Sequence, residues 1–141
     1  MEIQLVGKLG RRDALTRELD QLTEEVILSK GALPAFKGYR GYPASLCASI
    51  NEQVVHGIPS KHPLVAGDIL AIDMGAKMDG FYGDSAVTVA VGDVSEGAHR
   101  LLRVTEEALF LGLEAVRPGA RVSDIGAAVQ QHVEAAGFSV V

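Results

Sequence analysis

The chain has 141 residues, enough for one domain with its own core, and its 48% hydrophobic and 22% charged residues lie far from the charge-rich profile of disorder. A net charge of -5 argues against general phosphate-backbone binding, which needs surplus Lys and Arg, so nucleic acid is not an expected partner. One cysteine, Cys47, cannot form an internal disulfide framework; with Glu2, Lys8, Arg11, Arg12 and Asp13 near the N-terminus and no apolar run near ~20 residues, the chain reads as cytoplasmic, without signal core or membrane span.

Met1 to Gly10 alternate loosely at Ile3, Leu5 and Gly7 and read as a short strand or a frayed terminus. From about Thr16 to Lys30, Leu15, Leu19, Leu22, Val26 and Ile27 recur at helical intervals, and Gly31 stands where a left-handed residue would end the helix. Gly31 to Pro43 gathers glycines and prolines around Phe36, Tyr39 and Tyr42, the pattern of an ordered loop that presents aromatics. Val54–Ile58 and Ile69–Gly75 are apolar or β-branched runs set off by Gly57, Pro59, Pro63 and Gly67, and both are expected to be strands. Asp79-Gly80 is a hairpin signal, followed by a run ending Val87-Thr88-Val89-Ala90-Val91.

Two helices are expected after the hairpin. The first is capped by Ser95, carries Leu101, Val104, Ala108, Leu109 and Leu113 on or near one face, and ends before Pro118-Gly119. The second begins at Ser123 and carries Ile125, Val129 and Val133 before Gly137, after which Phe138 to Val141 reads as the start of a strand.

The chemistry concentrates on Asp73 and Asp84. If Asp79-Gly80 is a two-residue loop, Met78 faces Phe81, Gly75 faces Asp84 and Asp73 faces Ala86. Both carboxylates then project from one face as diagonal neighbours, roughly 7–8 Å apart or a little less. Two ionised carboxylates that close, on a mostly apolar hairpin, repel and lose hydration unless a cation lies between them. A divalent metal answers this, and carboxylates suit Mn, Fe(II), Co or Zn. The spacing alone leaves the bland alternative open, because aspartates near turns commonly cap, bond locally or face solvent.

His56 can donate a hydrogen bond to a substrate carbonyl or shuttle a proton, while a satisfied structural histidine is the competing reading. His62, His99 and His132 lie in polar stretches expected to be exposed, and nothing singles them out. Cys47 has no basic neighbour to lower its pKa and reads as a small apolar wall rather than a nucleophile. Tyr39 and Tyr42 extend such a wall or simply pack.

The stretches GALPAFKGYRGYPASLCASINEQVVHGIP and GDILAIDMGAKMDGFYGDSAVTVAVG closely resemble type I methionine aminopeptidases, and the resemblance runs from about Thr16 to the last residue. It implies the pita-bread metallopeptidase fold, an α/β arrangement of the α+β kind. Residues 16–141 would form the N-terminal half of that catalytic domain, an antiparallel sheet with an Asp-bearing hairpin covered by helices. Residues 1–15 stay unassigned. The implied activity is removal of N-terminal methionine from nascent proteins by water activated at two divalent metal ions, Co, Mn, Fe or Zn. By position, Asp73 and Asp84 resemble the family's aspartate ligands, His56 its substrate-contacting catalytic histidine, and Tyr39, Tyr42 and Cys47 its methionine pocket. The family's remaining histidine and two glutamate ligands fall beyond Val141, so the chain by itself is expected to be weakly active or inactive. The alternatives are a related proline-specific peptidase of the same fold and a non-catalytic peptide- or protein-binding module. Self-association through an exposed half-sheet is a further expectation.

Overall fold

The apolar spacing after position 15 forms a helix, α1 (Thr16–Ser29), in the computed structural model, which describes residues 15–141. The expectations for Met1–Gly10 lie outside the described residues. Thr16, Leu19, Thr23 and Ile27 make the buried stripe of α1, and the Thr23 hydroxyl is satisfied by the Leu19 carbonyl at 2.8 Å. Gly31 takes φ 75°, the left-handed turn that stops the helix. The chain divides into two compact units, Met1–Val94 and Ser95–Val141, each described in turn.

In the first unit, β1 (Leu33–Pro34), β2 (Leu46–Ile50), β3 (Ile69–Met78) and β4 (Phe81–Ala90) form one antiparallel sheet. β3 is the hub, pairing with all three other strands. Asp79 and Gly80 both adopt positive φ, 51° and 84°, as a tight primed turn requires, and the register is the expected one: Met78 opposite Phe81, Gly75 opposite Asp84, Asp73 opposite Ala86. On β3, Leu70, Ile72 and Met74 point into a core completed by Leu19, Leu46, Ala48, Leu64 and Val91. The alternate positions, Asp73 and Gly75, face the other way. β4 pairs only with β3 among the described residues, and Phe81–Thr88 are exposed.

Val54–Ile58 is not a strand. The strand that pairs there is β2, eight positions earlier at its start, and the chain turns away from it at Asn51, which has φ 51°. The Gln53 side chain accepts from the Ile50 N–H at 3.0 Å, which closes the turn, and Val54, Val55 and Ile58 are all at least 60% exposed. β-branched composition gave a strand signal, but none of these side chains enters the core, and burial is what strand propensity measures. Phe138–Val141 also forms no strand.

In the second unit, α2 (Glu96–Glu114) begins at Ser95, whose hydroxyl accepts from the Ala98 N–H at 3.2 Å, and α3 (Val122–Ala135) packs against it. The buried stripe of α2 is Val104, Ala108 and Gly112, whereas Leu109 and Leu113 are more than half exposed. Gly112 fixes the closeness of this contact, because a Cβ there would lie 3.0 Å from Val129 Cγ2. His132 is half-buried and 3.0 Å from Glu107, not exposed as its polar neighbours suggest. No described helix is long and apolar enough to cross a membrane.

One side chain ties α1 to the start of β2: Asp20 Oδ1 accepts from the Ser45 N–H at 2.7 Å and the Leu46 N–H at 3.1 Å. Asp20→Ala strands both buried donors and is expected to cost roughly 2–3 kcal/mol in urea unfolding, with Asp20→Asn recovering most of it through its remaining carbonyl oxygen.

Candidate functional site

The sheet face turned away from the core carries the side chains singled out in the sequence. Cys47 on β2 lies directly opposite Asp73 on β3, and Asp84 on β4 lies opposite Gly75, so thiol and both carboxylates share one face. Together with Tyr39, Tyr42 and His56 they line a cleft of about 590 Å³, within the usual range of ligand pockets, roughly 300–1,000 Å³. All six candidate residues are therefore brought together.

The loop that forms the other wall is held by local chemistry. Lys37 bonds both carboxylate oxygens of Glu24 at 2.7 Å, anchoring the loop to α1 and holding the Glu24 carboxyl below its ordinary range. A short 3₁₀ turn, Tyr39–Gly41, then presents Tyr39 at 64% exposure with the Arg40 guanidinium over its ring. Tyr42 is half-buried. Its hydroxyl meets the carbonyls of Leu46 at 3.0 Å and Gly57 at 3.1 Å, so its polar end is engaged by the fold and its ring serves the cleft. Burial, reinforced by the neighbouring Cys47 thiol, pushes the Tyr42 phenol well up, and it stays neutral.

Phe36 is a wall residue that the site reading passed over. It enters because Gly75 has no side chain: a Cβ there would lie 2.6 Å from Phe36 Cε1. The backbone bond from Ala35 N–H to the Gly75 carbonyl, 2.9 Å, brings the ring over this gap. The available signal was a glycine directly opposite Asp84 in a strand, which marks a close approach. Arg40, Pro43 and Ile58 also line the cleft.

Two acids of this unit, the buried Asp68 and the partly buried Asp73, differ in a way that bears on cation binding. Asp68 is 7% exposed, and its oxygens accept from the Asn51 amide and the Val65 N–H, both at 2.9 Å. Asp73 Oδ1 is buried with no hydrogen-bond partner. Burial first, and then the charge of Asp84, push the Asp73 carboxyl above its ordinary range, with His56 acting in the opposite sense. An unpaired carboxylate oxygen beside a second carboxylate, open to a cleft, is a donor set that suits a hard or borderline divalent cation. Asp73 and Asp84 are a pair: among the described residues no group of three or more His, Cys, Asp or Glu comes together in ligating arrangement.

Comparisons with known proteins identify the family of this fold. A profile for metallopeptidase family M24 matches residues 5–141. Methionine aminopeptidase 1 of Bacillus subtilis is 52% identical over 126 residues, covering 89% of this chain and 51% of that protein. The crystal structure of methionine aminopeptidase from Rickettsia prowazekii superposes with a TM-score of 0.94 at 42% identity, over 99% of this chain and 56% of that one. A prolidase from Pyrococcus furiosus, 21% identical with a TM-score of 0.81, covering 95% of this chain and 39% of that one, shares the fold. The chain spans about half the length of the curated relatives it matches.

The site generates two measurements. In chelating buffer, Asp73→Asn removes a partly buried, repelled charge and is expected to raise Tm by roughly 3–6 °C, a gain of about 1 kcal/mol for a chain of this size; an unchanged or lower Tm would show that the carboxylate is already compensated. Burial pushes the Cys47 thiol up, the Tyr42 hydroxyl opposes this, and the charges of Asp73 and Asp84 add to it. Alkylation by iodoacetamide at pH 7.5 is therefore expected to run at least about tenfold slower in the folded chain than in urea, with its onset moved to higher pH.

Proposed function

Because the chain belongs to metallopeptidase family M24, we propose that it supplies the aspartate pair and the substrate wall of a site that removes N-terminal methionine from peptides and nascent proteins. The observation that carries this reading is the buried, unpartnered Asp73 Oδ1 beside Asp84 in a cleft with an apolar wall.

In this reading Asp73 and Asp84 hold two divalent ions from the set Co, Mn, Fe and Zn. When bound, such ions make water a nucleophile at neutral pH and polarise a peptide carbonyl. The chain's own groups do the rest of the positioning. His56 donates a hydrogen bond to the scissile carbonyl oxygen and to the oxyanion that develops from it. Tyr39, Tyr42 and Cys47, with Phe36, accept an unbranched thioether side chain, and the engaged Tyr42 hydroxyl keeps that wall apolar. Burial keeps the Cys47 sulfur a neutral contact surface rather than a competing thiolate ligand.

Two carboxylates are fewer donors than a di-metal hydrolase uses, so full activity calls for further ligands from the portion of the relatives' length that this chain does not span. The chain alone is accordingly proposed to bind cations weakly and to cleave slowly or not at all. A reducing cytoplasm suits the single neutral thiol at the substrate wall.

Calorimetric titration with Mn²⁺ or Co²⁺ should show binding by the parent chain and at least a tenfold loss, about 1.4 kcal/mol, in both Asp73→Asn and Asp84→Asn. Equal binding in all three would remove the metal assignment. Met-Ala and Ala-Pro dipeptides separate the substrates: tighter binding of Met-Ala by the metal-loaded chain is expected, a preference for Ala-Pro would favour the proline-specific reading, and metal-independent peptide binding would favour a non-catalytic module.

A further inference from the structure

His56 is an exposed residue in an irregular segment, yet its backbone takes φ 58°, a left-handed conformation that side-chain-bearing residues rarely adopt. Such a conformation persists only where neighbouring structure imposes it. The next residue, Gly57, is tightly held. Its carbonyl accepts from the Ala48 N–H at 2.8 Å and from the Tyr42 hydroxyl at 3.1 Å, and its N–H donates to the Ser49 hydroxyl at 3.0 Å. A Cβ at Gly57 would lie 2.3 Å from the Ala48 carbonyl oxygen and 2.9 Å from Ser49 Cα, so only glycine can sit this close to β2.

We infer that Gly57 is a positioning residue: seated on β2 and held by Ser49 and Tyr42, it fixes the left-handed backbone of His56 and thereby aims the imidazole into the cleft. The inference deepens the proposed function, since it rests on His56 as the substrate-contacting group. Ser49 is 3% exposed, so the bond it accepts from Gly57 is shielded from water, and its position two residues from Cys47 places it on the cleft face of β2. Tyr42 approaches the same glycine from the loop. Three independent contacts therefore converge on the one residue after the histidine, and none of them touches the imidazole itself.

The test uses the isotopically labelled full chain and two variants that reach Gly57 from different sides, Ser49→Ala and Tyr42→Phe. The readouts are amide exchange at Gly57 and the imidazole Cε1–Hε1 resonance of each histidine. Exchange at Gly57 is expected to rise at least about tenfold in Ser49→Ala, with the Leu70 and Ile72 amides unchanged. The His56 resonance should move and broaden in both variants while those of His62, His99 and His132 stay in place. A purely structural role would instead alter thermal stability and move no histidine selectively. Unchanged His56 signals and parental Gly57 exchange in the folded variants would overturn the clamp, and Tyr42→Phe decides alone if Ser49→Ala does not fold. Addition of Met-Ala to the metal-loaded parent separates the two claims: a silent His56 resonance would remove its substrate role, while the clamp is still judged by the selective response of Gly57 and His56 in the variants.

Discussion

A reversal of two residues, Asp79 and Gly80, sets the register of twenty others. With both residues in the left-handed region, the strands leave the turn with the twist that lets β3 and β4 pair along their full lengths. A shift of one residue would turn Asp84 to the opposite face and leave Asp73 alone in the cleft. The shift is resisted from the far side of β3, where Leu70, Ile72 and Met74 are locked into the core against α1 and β2. Turn chemistry and core burial therefore specify the same alignment, and the carboxylate pair inherits its placement from both.

Within that frame Asp68 and Asp73 divide the labour. Asp68 is saturated by the groups around it and closes the connection between β2 and β3 through Asn51, which also accepts from the Ile69 N–H at 3.0 Å. Asp73 keeps an unsatisfied oxygen and a like-charged neighbour, an arrangement that lowers stability unless a cation is present. Folding tolerates the second because structural bonds such as those of Asp20 and Asp68 hold the same sheet.

The parts of the fold that the sequence announced are those governed by local rules. Gly31 and Ser95 mark helix ends by backbone and capping chemistry, and Asp79-Gly80 marks its turn. The part that was not legible is set by tertiary contact: Val54–Ile58 has strand composition, but β2 takes its place in the sheet because Leu46 and Ala48 reach the core and Val54 and Val55 do not. On α2 the expected Val104 and Ala108 are buried, but Gly112 takes the place expected for Leu109 and Leu113, because small residues permit the close approach to α3. At the site, the Asp79-Gly80 turn register and the alternation of side chains along β3 together were enough to place Asp73 and Asp84 on one face. Phe36 was missed because its role depends on an empty position across the sheet, which no periodicity reveals.

That empty position at Gly75 also joins the two walls of the cleft. The ring of Phe36 rests where a side chain of the acid-bearing hairpin would otherwise stand, so the aromatic loop and the strand pair that carries charge meet as one packed surface. Any drift of the aromatic loop opens a void against β3 rather than a harmless gap to solvent. The shape of the aromatic wall and the spacing of the acids are therefore mechanically joined through a missing methyl group.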